Sequence, residues 1–270
     1  MMYLERMTKL LLTLLAPAIT TASLAQDLPS FEKKEFLSGG DTLRYRIQYP
    51  LNYKPGKKYP VILFLHGSGE RGSDNNKQLF WGGALFADTA TRKKFPSIIV
   101  VPQCPLNDAW PRITRGKQNP PDSLGNLVFE SEKEMSTSLR LTGELLDQLV
   151  QSGQVKEKQV YIGGLSLGGM GTFELLWRKP GFFAAAFPIC GGGDPQMISR
   201  YGPGIRFWVF HGEKDPVVTP AHSRRMVDEL SRQGYTVKYS EYPGVMHDSW
   251  KNAFAEPELF RWLFRQKRRK

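Results

Sequence analysis

Residues 159–178 read QVYIGGLSLGGMGTFELLWR. Gln159–Ile162 is a short apolar run of strand character. Leu167–Arg178 has the composition of a helix and is closed by Lys179-Pro180-Gly181. The junction between them, Gly164-Leu165-Ser166-Leu167-Gly168, has the pattern G-x-S-x-G. A strand that turns sharply into a helix forces its central residue into a strained conformation, and flanking glycines remove the Cβ clashes. Ser166 Oγ then stands exposed at the helix N-terminus, with the Leu167 N–H facing the oxyanion of a tetrahedral intermediate. The same residues also fit a glycine-rich tight turn with an inert serine. A chain with 26 glycines produces the pentapeptide by chance in roughly one case in six, so its surroundings must decide.

Those surroundings alternate. Val61–Leu65 (VILFL) is a continuous apolar run, as expected of a strand buried on both faces, and similar runs recur at Ser97–Val101, Ala184–Ile189 and Phe207–Phe210. Val237–Tyr242 is a final, more alternating strand. Phe31–Phe36 and Leu43–Tyr49 read as two N-terminal strands joined by a Gly39-Gly40-Asp41 turn. Helical patterns fall at Glu132–Gln151, Pro220–Gln233 (Thr219 as N-cap, Gly234 as stop) and Glu256–Gln266. Strands alternating with helices predict an α/β fold with a mostly parallel sheet, whose ligands sit at the carboxyl ends of the strands.

A nucleophilic serine needs a base, and the chain has four histidines. His247 alone lies beyond the last strand on a glycine-containing loop that can aim it. His222, in the first turn of a helix, reads as a solvated residue. His66 and His211, each before a glycine at a strand end, read as loop-holding hydrogen-bond partners. The base in turn needs a carboxylate to fix its tautomer. Asp215 is the candidate, with Glu213 and Asp194 as rivals; Asp248 is adjacent to His247, and neighbouring side chains diverge. The resulting chain order is Ser166, Asp215, His247.

LFLHGSGERG at 63–72, VPQCP at 101–105, GGLSLGGMG at 163–171, PICGGGDP at 188–195, HGEKDPVV at 211–218 and YPGVMHDSW at 242–250 span most of the chain. Together they resemble secreted α/β-hydrolases of the branch that includes feruloyl and other plant-biomass esterases and polyhydroxybutyrate depolymerase-like enzymes. That branch adjoins the prolyl-oligopeptidase-type serine peptidases. The resemblance implies an α/β-hydrolase fold without cofactor or metal, Ser166 as nucleophile, Asp215 as acid and His247 as base. It places the oxyanion donors at the backbone N–H groups of Leu167 and Ser68. The implied activity is a serine esterase working through an acyl-enzyme on esters of plant or polysaccharide origin. The alternatives are an exported serine peptidase, disfavoured because there is no separate gating propeller, and a non-catalytic binding module on the same fold.

The remaining features refine this reading. Residues 1–25 look like a secretory signal peptide: Arg6 and Lys9 precede the apolar run Leu10–Ile19, and Ser23-Leu24-Ala25 offers a cleavage site before Gln26. A secreted or periplasmic enzyme with one catalytic domain over 26–270 is expected, with no stable membrane insertion. Apolar residues at 40% and charged residues at 23% exclude a disordered chain, and two cysteines exclude a disulfide scaffold. In the strand order that the resemblance implies, Cys104 and Cys190 lie on strands three steps or about 14 Å apart and are expected unpaired. Gly67-Ser68-Gly69-Glu70-Arg71-Gly72 matches a dinucleotide fingerprint, but the polar Ser73–Lys77 that follows cannot form the helix such a site needs. The loop Pro105–Glu130, which carries Trp110, Arg112, Arg115, Pro120 and Pro121, is expected to border the substrate cleft, with Trp110 as an aromatic wall or as a buried pin. Gln103 and Trp250 are further candidates for substrate contact, with loop support and burial as their alternatives. The net charge of +11 suits acidic polysaccharides or anionic surfaces. The basic tail from Arg265 has no aromatic interleaving, so no nucleic-acid partner is expected.

Overall fold

The computed structural model describes residues 28–115 and 127–268. The expected leader, together with Pro120 and Pro121, lies outside the described residues. Eight strands form one twisted sheet: β1 (Glu32–Ser38), β2 (Asp41–Gln48), β3 (Tyr59–Leu65), β4 (Ile98–Gln103), β7 (Val155–Leu165), β8 (Ala185–Ile189), β9 (Arg206–Gly212) and β10 (Thr236–Tyr242). Their spatial order is β1-β2-β4-β3-β7-β8-β9-β10. β2 pairs antiparallel with both β1 and β4, and every pairing from β4 to β10 is parallel. A separate two-stranded pair joins β5 (Ile113–Arg115) to β6 (Leu127–Phe129).

The parallel strands are apolar on both faces because both faces are covered. Alternate residues of β3 fall into different clusters. Val61, Leu63 and Leu65 pack with Leu139, Leu145, Leu175 and Met226 of α3 (Thr137–Gln151), α4 (Leu167–Arg178) and α5 (Pro220–Arg232). Ile62 and Phe64 pack with Phe86, Ala253, Phe260 and Leu263. These last four belong to α1 (Gly83–Ala87), α6 (Trp250–Ala255) and α7 (Leu259–Arg265), and α2 (Thr89–Lys94) follows α1. Each of the Val, Leu, Ile, Phe and Met side chains among them, when fully buried, contributes about 1.5–3 kcal/mol.

The expected strands and their order are present, and α4 has the predicted bounds. The expected last helix, Glu256–Gln266, is present as α7, which begins three residues later, and an unanticipated α6 precedes it; Pro257 lacks an N–H and drives Glu256 to φ −64°, ψ 112°, which separates the two. α3 begins five residues later than the pattern suggested, because the Ser136 hydroxyl caps it by accepting from the Leu139 N–H at 3.1 Å. The strands β5 and β6 were not anticipated, since three-residue runs carry no periodicity. The glycines at 67–72 open a short 3-10 turn, Ser68–Glu70, rather than a helix. The basic tail leaves α7 and returns along the sheet, with the Arg268 N–H donating to the Lys158 carbonyl at 2.9 Å.

The junction between β7 and α4 fixes the centre of the molecule. A Cβ at Gly168 would overlap the Leu65 carbonyl of β3, and a Cβ at Gly164 would overlap the Gly168 carbonyl. The helix therefore approaches the sheet as closely as backbones allow. A Gly168→Ala substitution is expected to destabilise the protein by more than about 4 kcal/mol, because the clash is with backbone that cannot turn aside. Gly153→Ala, at φ +75° with open space around it, is expected to cost about 1 kcal/mol. Urea midpoints of the two variants check the difference.

Candidate active site

Ser166 sits between β7 and α4 with φ 52° and ψ −116°, a left-handed conformation that costs a non-glycine residue about 1–3 kcal/mol. Its N–H donates to the Ile189 carbonyl at 2.9 Å, and its carbonyl accepts from the Met170 N–H at 3.0 Å. These bonds hold the turn while Oγ points away from the helix. The first N–H groups of α4 have no intrahelical acceptor, and the helix dipole places positive potential there.

Two loops from the far side of the sheet meet Ser166. The loop after β9 carries Asp215, and the loop after β10 carries His247. They are tied by Glu213 N–H to Tyr242 O (3.0 Å), Lys214 N–H to Val245 O (2.9 Å) and Gly244 N–H to Glu213 Oε2 (2.7 Å). A Cβ at Gly212 would overlap the Met246 carbonyl, so only glycine lets the loops close. His247 Nε2 lies 3.0 Å from Ser166 Oγ, and His247 Nδ1 lies 2.7 Å from Asp215 Oδ2. With an ionised Asp215, Nδ1–H donates to the carboxylate and the bare Nε2 accepts from the serine hydroxyl.

Asp215 is buried, and burial acts to raise its pKa. Hydrogen bonds from His211, His247 and the Val218 N–H outweigh that and hold the carboxyl below the usual range. Its Oδ1 accepts from Val217 N–H (2.8 Å) and Val218 N–H (3.0 Å). The rivals serve elsewhere: Glu213 ties the two loops, Asp194 accepts from the Ser131 hydroxyl at 2.8 Å, and Asp248 pairs with Lys251 at 2.8 Å.

The turn Gly67-Ser68 packs against the elbow, since a Cβ at Gly67 would come within 2.7 Å of Leu165 Cδ1. His66 secures that turn. Its Nδ1–H donates to Gly67 O at 2.6 Å, and its Nε2 accepts from the Cys104 N–H at 3.0 Å. Sequence reasoning missed two further braces. Arg71 donates to the carbonyls of Ser68 (3.1 Å) and Asp108 (3.1 Å). The largely buried Glu70 accepts from the Gly67 N–H, with burial pushing its carboxyl up against that bond. A carboxylate three residues beyond a glycine turn was the available signal.

Several expectations need correction. Trp110 is not a cleft wall: it is fully buried, and its Nε1–H donates to the His66 carbonyl at 2.9 Å. Gln103 is also buried and holds the loop after β3, accepting from the Asn75 N–H at 2.7 Å and donating to Asp74 at 3.0 Å. Trp250 is 9% exposed and wedged between Trp81 and His247, with ring centroids at 5.3 and 5.4 Å. It braces the histidine instead of presenting a face. His222 is buried rather than solvated, because the Gly192 backbone packs on its Cβ. The two cysteines are free and buried, on β4 and β8 ends separated by β3 and β7 as expected.

A cavity of about 510 Å³ opens beyond the carboxyl end of β8. Phe129, Glu130, Glu132, Asp194, His222 and Arg225 are among its lining residues. A run of ring contacts leads from His247 through Trp250 and Trp81 to the exposed Phe80.

Residues 52–260 match the model of the phospholipase/carboxylesterase family. The chain belongs to that family. It is therefore a carboxylesterase-type hydrolase with the α/β-hydrolase fold. Acyl-protein thioesterase 1 of Neurospora crassa is 24% identical over 204 residues, which cover 70% of this chain and 80% of the relative. A thermostable esterase of solved structure is 35% identical, with a TM-score of 0.79 over 89% of this chain. The match spans 64% of that esterase's own chain. A ferulic acid esterase from the anaerobic fungus Anaeromyces mucronatus shares the fold, with a TM-score of 0.59 at 17% identity, over 83% of this chain and 86% of its own. No helix of the described residues is long and apolar enough to cross a membrane.

Burial lowers the His66 pKa to about 4, although its bond to Gly67 acts in the opposite direction. An unfolded His66 takes up a proton below about 6.5. Between about pH 6.5 and 4 the unfolded state therefore binds the extra proton, and stability falls as the pH falls. Urea unfolding at pH 7 and pH 4.5 is expected to show the wild type losing about 2–3 kcal/mol more than His66→Gln, which has no such proton to bind.

Proposed function

We propose that the protein is an exported serine carboxylic-ester hydrolase that works through an acyl-enzyme. The observation that carries this reading is the continuous line of hydrogen bonds from Ser166 Oγ through His247 to the buried Asp215. In this mechanism Ser166 Oγ attacks the ester carbonyl as His247 Nε2 takes its proton. Asp215 keeps His247 in the right tautomer and stabilises the imidazolium. The N–H groups of Leu167 and Ser68 receive the oxyanion. His247 returns the proton to the departing alcohol; water then attacks the acyl-enzyme as His247 takes its proton, and His247 passes that proton to Ser166 Oγ as the carboxylic acid leaves.

The substrate class is part of the proposal. The cavity beyond β8 offers carboxylates, an arginine and one aromatic ring, a lining suited to the hydroxyl-rich alcohol part of a sugar ester. Phe80 and Trp81, linked to His247 through Trp250, offer an aromatic shelf for a flat acyl group. Export is supported by the leader-like residues 1–25.

The test offers the purified protein a small aryl ester, the matched thioester and the matched amide. The ester is expected to turn over, with the amide far slower, and Ser166→Ala is expected to lower kcat by about 10⁴–10⁶. Comparable amide turnover would make the protein a peptidase. A thioester preference would align it with the fungal relative. An undiminished Ser166→Ala variant would remove the mechanism.

A further inference from the structure

The carboxylate of Asp215 serves two histidines. Oδ2 receives His247 Nδ1 at 2.7 Å and His211 Nε2 at 3.2 Å. Both His211 and the Asp215 side chain are fully enclosed, with 0% side-chain exposure. His211 is the penultimate residue of β9, and its ring is held at both nitrogens. Nε2 faces the Val218 carbonyl at 2.8 Å as well as the carboxylate, and Nδ1 lies 2.7 Å from Ser223 Oγ of α5. The Ser223 hydroxyl has a second acceptor in the Gly191 carbonyl at 3.1 Å.

This pattern fixes one proton. A carbonyl and a carboxylate can only accept, so Nε2 must carry a hydrogen. In the neutral ring Nδ1 is bare and accepts from the Ser223 hydroxyl; in the imidazolium Nδ1–H donates to Ser223 Oγ while Ser223 donates to the Gly191 carbonyl. In either case the Nε2–H stays directed at Val218 and Asp215.

We propose that His211 is a positioning residue for Asp215. By donating to the oxygen that receives His247, it competes for that oxygen's charge and limits how tightly the carboxylate holds a proton on His247. The proposal rests on the Ser166–His247–Asp215 reading above. A weaker hold favours the bare Nε2, the form that can accept from Ser166. Val217 and Val218 N–H occupy the other oxygen, so the carboxylate cannot rotate to offer His247 a fresh one.

Other charged groups around the two rings are already matched. Glu241 lies beside His211 across the β9–β10 pairing and is held by Arg224 of α5 at 2.9 Å. Asp248, next to His247, pairs with Lys251. The Cys190 thiol lies with Asp215 and His247 in a group whose polar atoms are within 4.8 Å of one another. Burial raises its pKa, which keeps it neutral.

The test compares the pH dependence of kcat/KM on a small aryl ester for the wild type, His211→Leu and His211→Gln. The glutamine amide can place a donor where Nε2 stands; leucine cannot. Without the donor, the His247 imidazolium gains stability, and the acid limb is expected to move up by about half to one pH unit in His211→Leu. His211→Gln is expected to keep the limb near its wild-type position. A limb that stays in place in His211→Leu overturns the proposal, whatever happens to kcat, since a purely structural role lowers activity without moving it. Should the leucine variant fail to fold, ¹⁵N histidine spectra of the wild-type protein decide. His211 Nε2 protonated from pH 5 to 9 supports the proposal, and a bare Nε2 overturns it. The Ser166→Ala control separates the two levels: if that variant kept its activity, the underlying triad would fail first, and His211 with it.

Discussion

The close approach of α4 to β3 and β7 is the constraint on which the rest of the site depends. Glycine at 164 and 168 lets helix and strand backbones touch, and the chain between them must reverse within a few residues. Ser166 absorbs that reversal in a left-handed conformation. The strain is held by the Ile189 and Met170 backbone bonds and by the two packed faces of the sheet. What the turn provides is placement: a hydroxyl raised clear of the helix, next to N–H groups that the helix leaves unsatisfied.

The second constraint lies across the sheet. Asp215 and His247 come from loops after adjacent parallel strands, and such loops emerge at the same edge. Glycine at 212 lets them touch, and three hydrogen bonds lock their spacing. A carboxylate buried without partners would be costly. Here it accepts from two backbone N–H groups and two imidazoles, so its charge persists on a side chain closed to water. Burial and bonding act in opposite directions on Asp215, and bonding prevails.

Much of this arrangement was legible in the residues. Continuous apolar runs marked the doubly covered strands, and Lys179-Pro180-Gly181 marked the end of α4. The positions of Ser166, Asp215 and His247 at strand ends followed from the alternation of strands and helices, because parallel sheets gather their carboxyl ends on one side. What escaped was set by tertiary packing. Trp110 lies in a polar loop, yet its indole bonds to the His66 carbonyl inside the core. Gln103 sits at a strand end facing the site, yet its amide is consumed by the neighbouring loop. His222 lies in a helix turn with charged neighbours, but the approach of Gly192 encloses it. Each depends on which segments meet across the sheet, and a single segment carries no record of that. Pro257 was a readable signal, and it separates α7 from the short α6 before it as proline chemistry requires.

The most direct measurement is covalent. A fluorophosphonate that mimics the tetrahedral intermediate should react once per molecule, abolish ester turnover in proportion to labelling, and leave its phosphonyl group on the peptide containing Ser166 when the protein is digested and weighed. Labelling should also require His247, because an unassisted serine hydroxyl is a weak nucleophile. A label on any other residue, or full turnover by protein whose Ser166 is completely modified, would contradict the account.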